Sequence, residues 1–402
     1  MPILWTMTIM LIILILIIVT ALIELIVGFK RGIGKHPASQ SDFSHTTLTL
    51  FNDGHRFIAA LKRDMAQARH HIHLASFIFR YDQIGQELVN ALLHHASNGI
   101  KIRLLLDYIG SHSFPKKIQK KLKAAGIELG FTAKPTFPFT LYSLNRRNHH
   151  KTVVIDGRIG YFGGFNIGDD YIGNKSVMGD WRDYHLRLEG DGVQNLQKQF
   201  LYDWKITCHQ SLDEDVFFPT LPQGKSSISI VSSVGKGLEE LFIDHLSKAK
   251  SHIFIGTPYF IPTKRMQHVL ITLLKRKIEI TLLLPLKRDH PCVRPASYHY
   301  LGQLLKHGAN IHHFYQGFYH AKVFIVDDSH CYLGTANFDQ RSFFWNDEMS
   351  ALIYDQKCVA EVKKMAMKDI ERSIPFTLVD YKKRSIYEKT KTTLSLPLSP
   401  LL

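Results

Sequence analysis

An unbroken apolar stretch opens the chain. From Ile3 to Phe29 the only ionisable side chain is Glu24, and Ile9–Ile23 is apolar apart from Thr20. A helix of this length crosses the hydrocarbon core of a bilayer, which takes ~20 residues. A cleaved leader would carry a basic start and a small-residue cleavage site. Neither is present, so residues 3–29 are expected to be retained as a single transmembrane anchor. Lys30, Arg31 and Lys35 follow the span, and only the terminal amine precedes it. Positive charge stays on the cytoplasmic side, which predicts a single-pass cell-membrane protein with its body in the cytoplasm.

Beyond residue 40 the pattern changes to short apolar runs alternating with amphipathic stretches of 3.6-residue period. Helices are predicted over Gly54–Ala68, Gly85–Ser97 and Pro115–Ala125, and again over Gly237–Ala249, Met266–Lys275 and Pro295–His307. Strands are predicted between them, which is α/β layering. The second set repeats the first. Ala68–Ser76 parallels Ala249–Thr257 at an offset of 181, and Asn98–Leu106 parallels Arg276–Leu284 at 178. A near-constant offset with small drifts is the signature of a duplicated unit. The Pro-, Gly- and Ser-rich segment Phe217–Ser227 predicts the boundary, giving an N-terminal unit over 40–220 and a C-terminal unit over 226–402.

Charge narrows the function classes. Among 402 residues, 50 Lys and Arg oppose 35 Asp and Glu, a net +15. Such a surface seeks polyanions, and the anchor favours an anionic bilayer over nucleic acid. Cys208, Cys292, Cys331 and Cys358 have no paired spacing, so neither a disulfide framework nor a zinc site is expected. His70, His71 and His73, with His312 and His313, flank strand-like runs without metal-ligand spacing and read as satisfied surface or core histidines. No metal and no cofactor are called for.

Chemistry concentrates in two segments of matched spacing. The first runs from His149 through Lys151 to Asp156, with Asn166 following a Gly-Gly pair; the second runs from His320 through Lys322 to Asp327, with Asn337 following Gly334. In a strand, His and Lys two apart share a face, and the aspartates have the opposite parity. Asp156 and Asp327 therefore either act with the catalytic set or shape the turn after the strand. Phosphodiester transfer needs a nucleophile, a proton donor for the leaving oxygen and positive charge around the phosphate. One imidazole can attack phosphorus and a second can serve as acid and base. Lys151 and Lys322 supply charge, and Asn166 and Asn337 supply amide donors. A nucleophilic histidine also needs a carboxylate on its far ring nitrogen. Asp183 and Glu348, each ahead of an apolar strand run (Tyr184–Leu188 and Met349–Tyr354), are the candidates.

At these residues the chain resembles the phospholipase D superfamily, and within it the bacterial cardiolipin synthases of the shorter, minor Gram-positive type. The likeness lies in Arg147–Gly157, Gly163–Tyr171, Trp181–Asp183, Thr257–Pro262 and Gly334–Ser342, with Asn346 and Glu348, and covers the chain from about residue 40. It departs at Thr263, where relatives often carry an acidic residue, and in showing one apolar span where many have two. The resemblance implies two α/β/α sandwich lobes about a pseudo-twofold axis. It also implies metal-independent phosphatidyl transfer through a phosphohistidine, with phosphatidylglycerol as donor and acceptor and His149 as nucleophile. Hydrolysis of phospholipids or nucleic acid by the same apparatus is the alternative, and a headgroup-binding scaffold is disfavoured because both His–Lys pairs are intact. Three further readings stay open. Asn145–Arg147 either contacts phosphate or forms a solvated loop; Tyr315, Phe318 and Tyr319 line an acyl channel or fill core; the tail from Lys382 to Leu402 is a candidate to lie on the bilayer.

Overall fold

The computed structural model describes residues 2–31, 36–174 and 178–402. Lys35 lies outside the described residues. Pro2–Arg31 forms one helix, long and apolar enough to cross a membrane. Its side chains from Leu4 to Thr20 are all exposed, whereas Ala21, Glu24, Leu25 and Gly28 turn one face toward the body.

Among the described residues a single mixed sheet of sixteen strands runs through both halves of the body. Its order is self-similar about the antiparallel contact of Ser226–Val234 with Ser44–Phe51. On the N-terminal side follow His185–Gly190, Ile159–Gly163, Thr152–Ile155, His71–Ser76, Lys101–Asp107 and Glu128–Thr132. On the other side Asp347–Ile353, His330–Gly334, Val323–Val326, His252–Gly256, Glu279–Pro285 and Asn310–Phe314 repeat the sequence strand for strand. The two lobes are thus one duplicated α/β unit zipped edge to edge. Pairing the two edge strands protects what would otherwise be a long unpaired backbone edge in each lobe.

Helices cover both faces. The predicted helices appear at Gly54–Met65, Gln83–Ser97 and Lys116–Ala124, and at Leu238–Ser247, Lys264–Lys275 and Val293–Lys306. Three of them start at a capping side chain: Asp53, Asp82 and Thr263 accept from the amides of Arg56, Gly85 and Met266. Thr263, the departure from the resemblance, is such a cap and its hydroxyl also bonds Glu239. Missing from the sequence reading are Gly192–Cys208 and Gln356–Glu371, one helix on the opposite face of each lobe. Leu196, Phe200 and Trp204 bury the first; Val359, Val362 and Ala366 bury the second. The tail folds onto the body. Trp345 Nε1 donates to Pro400 O at 2.7 Å, Arg341 Nη1 to Leu401 O at 3.1 Å, and Tyr381 fills the space over Gly302.

Candidate active site

Both His–Lys segments lead into their strands rather than lying in them, since Thr152–Ile155 and Val323–Val326 begin just after the lysines. Their backbones are free to bond elsewhere, and each bonds to the other half. His149 N donates to Asp347 O at 2.9 Å, and Asp347 N to Arg147 O at 2.9 Å. Gly317–Tyr319 runs parallel to Asp180–Arg182, and His320 N donates to Arg182 O at 2.7 Å. Obligatory backbone pairing therefore lays each motif against the segment of the opposite half that bears a carboxylate.

The side chains follow. His149 Nδ1 is 2.9 Å from Glu348 Oε2, and His320 Nδ1 is 2.5 Å from Asp183 Oδ2. Both carboxylates are buried and held by further donors. Glu348 accepts from Thr335 Oγ1 at 2.5 Å and Asn346 Nδ2 at 3.1 Å, and Asp183 from Tyr184 N at 2.8 Å. Gly164 permits this: a Cβ there would meet Asp183 Oδ1 at 1.9 Å. Phe77 stands edge-on to the His149 ring at 4.8 Å and Trp181 leans on His320 at 4.8 Å. An ionised acceptor on Nδ1 fixes the proton there and leaves the Nε2 lone pair outward.

Lys151 Nζ donates to His149 O at 3.0 Å. Lys322 Nζ bonds His320 O, lies 2.7 Å from His320 Nδ1 and 3.8 Å from Asp183 Oδ2. Burial holds His149 down at about 4, and the charges of Lys151 and Lys322 add to this against the pull of Glu348. His320 is held at about 3 by burial and by Lys322, with a smaller push from Lys151. Each histidine thus feels the lysine of the other motif, as expected of one shared centre. Burial likewise lowers Lys151 to about 7 and Lys322 to about 8. Burial would raise Glu348, but His149, Thr335 and Lys151 outweigh it and bring it to about 2. The centre therefore holds two neutral imidazoles on two carboxylates, with two lysines close to giving up their protons.

The remaining candidates divide. Asn166 and Asn337 are buried, each with an amide oxygen that has no partner among the described residues. Asp156 and Asp327 do not join the centre, which corrects their place in the catalytic set. They sit past the far ends of their strands with φ of 53° and 47°. Asp156 accepts from the amides of Arg69, His70 and His71 at 2.7–2.9 Å, and Asp327 from those of Ser251 and His252 at 2.8 Å and of Lys250 at 2.5 Å. They fasten the turn to the start of the neighbouring strand. Asn145–Arg147 fits neither reading given it: Arg147 is buried on Asp107 at 3.0 Å, and Arg146 pairs with Asp347 at 3.0 Å. His71 and His73 share Gln197 under Phe217, and His313 stacks on Phe376, so these histidines belong to packing. Phe318 and Tyr319 are core, while Tyr315 is exposed.

A family profile described as "Cardiolipin synthase, PLD-like domain" matches residues 61–204 and 242–370, the two halves that carry these pairs. The chain belongs to that family. Minor cardiolipin synthase ClsB of Bacillus subtilis is 36% identical over 97% of this chain and 98% of its own length. Cardiolipin synthase 2 of Staphylococcus epidermidis is 37% identical over 88% of this chain and 74% of its own. Among solved structures, phosphatidylserine synthase of Haemophilus influenzae overlays with a TM-score of 0.72 across 90% of this chain and 97% of that one, at 14% identity, a likeness of fold.

For this cardiolipin synthase family member, the sequence reading missed the crossing. It placed Asp183 and Glu348 as orienting carboxylates but did not say which histidine each serves. It also passed over His150, whose Nδ1 lies 2.7 Å from Asp203 Oδ2 on the Gly192–Cys208 helix, a buried contact on the side away from the centre. Burial lowers that imidazole, but Asp203 outweighs it and the net shift is upward. The sole sequence signal was the opposite parity of two adjacent histidines.

Proposed function

We propose that the chain is a cardiolipin synthase that moves a phosphatidyl group between two phosphatidylglycerol molecules through a phosphohistidine. The observation that carries this reading is the crossed pair of histidine–carboxylate contacts, which presents two oriented imidazoles from two halves of one chain. His149 Nε2 attacks the phosphorus of the donor lipid; the bond to the glycerol oxygen breaks, and His320 in its protonated form supplies that oxygen's proton. Glycerol leaves. The terminal hydroxyl of a second phosphatidylglycerol then gives its proton back to His320 and attacks the phosphohistidine, releasing His149 and forming cardiolipin. The sequence of steps is reversible, because the bonds formed and broken are alike.

Lys322 beside His320 Nδ1 favours this division of labour. The charge of Lys322 beside the ring lowers its hold on a proton and makes the protonated ring a better acid, whereas among the described residues His149 Nδ1 meets Glu348 only. The incoming phosphodiester anion draws both lysines back to their charged form and raises the histidines, supplying the acid form of His320. Lys151, Lys322, Asn166 and Asn337 surround the equatorial oxygens. The body lies on the cytoplasmic side, supported by Lys30 and Arg31 at the end of the helix.

Purified full-length protein given phosphatidylglycerol vesicles is expected to release glycerol and form cardiolipin in equal amounts, with no activity in His149→Ala. Phosphatidic acid as the main product would replace transfer with hydrolysis.

A further inference from the structure

The helix Pro2–Arg31 divides into a free part and a docked part. The free part, Leu4–Thr20, is ~25 Å long at 1.5 Å per residue, close to one hydrocarbon thickness. The docked part meets the short helix Thr140–Asn145. Glu24 Oε1 accepts from the amides of Leu141 at 2.6 Å and Tyr142 at 3.3 Å. Gly28 lies against the Tyr142 ring, and the Arg31 guanidinium sits 5.9 Å from the Phe139 ring. Phe29 meets Trp345 of the other half at 5.3 Å. The single carboxylate of the span thus caps amide donors of the body on one face of the helix, while Leu22, Ile23, Ile26 and Phe29 stay exposed on the rest of it.

That contact sets one part of the body beside the end of the span. Residues 133–141 flank Glu24 and carry Phe137, 94% exposed, and Leu141, also exposed. Beside them runs the loop after Lys101–Asp107, since Asp107 pairs with Thr132 and Tyr108 N donates to Thr132 O at 3.1 Å. This second loop exposes Tyr108 and Ile109 and leads into Lys116 and Lys117; Lys134 is exposed in the first. Large apolar side chains rimmed by lysines, next to the point where the anchor leaves lipid, match an anionic bilayer in both polarity and charge.

We propose that these two loops are a second membrane contact, with Phe137, Leu141, Tyr108 and Ile109 entering the interface of an anionic bilayer and Lys116, Lys117 and Lys134 on its headgroups. The inference rests on the anchor spanning that bilayer. The seat adjoins the chemistry: Asp107, at the root of the second loop, binds Arg147 Nη1 and Asn148 N at 3.0 Å, just ahead of His149. Donor lipid would then pass from the membrane plane to the centre without leaving the interface.

The test uses the full chain in nanodiscs of phosphatidylglycerol and phosphatidylcholine, with p-benzoylphenylalanine placed singly at Leu14, Phe137 or Asn98. Asn98 is exposed at the opposite end of the same strands, roughly 20 Å away along a seven-residue strand. Irradiation is expected to give lipid adducts at positions 14 and 137 and none at 98, with the yield at 137 falling in discs of phosphatidylcholine alone. Adducts at 14, with 137 no better than 98, would overturn the second contact while leaving the anchor intact. No adduct at 14 would remove the spanning helix and this inference with it. Equal yield at 137 in both kinds of disc would overturn the part given to the lysines.

Discussion

Glu348 and Asp183 act on the far nitrogen of each imidazole, and their removal separates orientation from binding. Glu348→Gln keeps a hydrogen-bond partner for His149 but loses the charge that fixes the proton on Nδ1. Glycerol release is expected to fall by about 10²-fold or more with little change in KM, measured on phosphatidylglycerol vesicles. A loss confined to KM would place Glu348 in lipid binding instead. The pH profile follows from the shifted groups. His149 is lowered to about 4, so its lone pair is free above that value and is lost below it. Lys151 and Lys322, lowered to about 7 and 8, lose their charge as pH rises through those values. Activity is expected to fall toward pH 4 and again above about 7, and Lys151→Arg should move the upper limb to about 8, where Lys322 loses its charge, because a guanidinium stays charged. A profile flat from pH 5 to 10 would contradict this. These residue types were legible in the sequence because a phosphate-transfer centre needs them; their ionisation was not, because burial sets it.

Among elements, the turns after Thr152–Ile155 and Val323–Val326 show how a motif residue can serve the fold. Asp156 accepts three backbone amides in a left-handed turn, so Asp156→Ala leaves those donors unpaired and strains the backbone. A stability loss of ~1–3 kcal/mol is expected, read as a lower Tm, with unchanged turnover per folded molecule. A full-stability variant lacking turnover would return Asp156 to the chemistry. Gly164 is the converse case, an element boundary that serves the site. Gly164→Ala would push the Asp183 carboxylate from His320, so turnover is expected to fall more than Tm does. Six helices were readable from their periodicity; the capping bonds of Asp53, Asp82 and Thr263 that start three of them came only with the structure. The helices Gly192–Cys208 and Gln356–Glu371 were not, because their mixed faces gain their meaning from the sheet they cover.

Over the whole molecule, neither half completes its own site. His149 depends on Glu348 and His320 on Asp183, and the Arg146–Asp347 pair and the shared sheet hold that exchange in register. Because both exchanges occur within one chain, mixing full-length His149→Ala with full-length His320→Ala is expected to restore no cardiolipin formation; recovery would mean that halves of different chains meet. The sequence by itself determined the duplication, the apolar span and the two His–Lys pairs, since these rest on composition and spacing along the chain. It could not assign the carboxylates, because a pairing across 137 or 199 residues is set by which backbone edges find each other. Nor could it show that the span's lone glutamate caps a helix of the body, 117 residues away. Those contacts exist once edge-to-edge pairing of the lobes brings distant segments to one seam, and there the tertiary structure alone decided them.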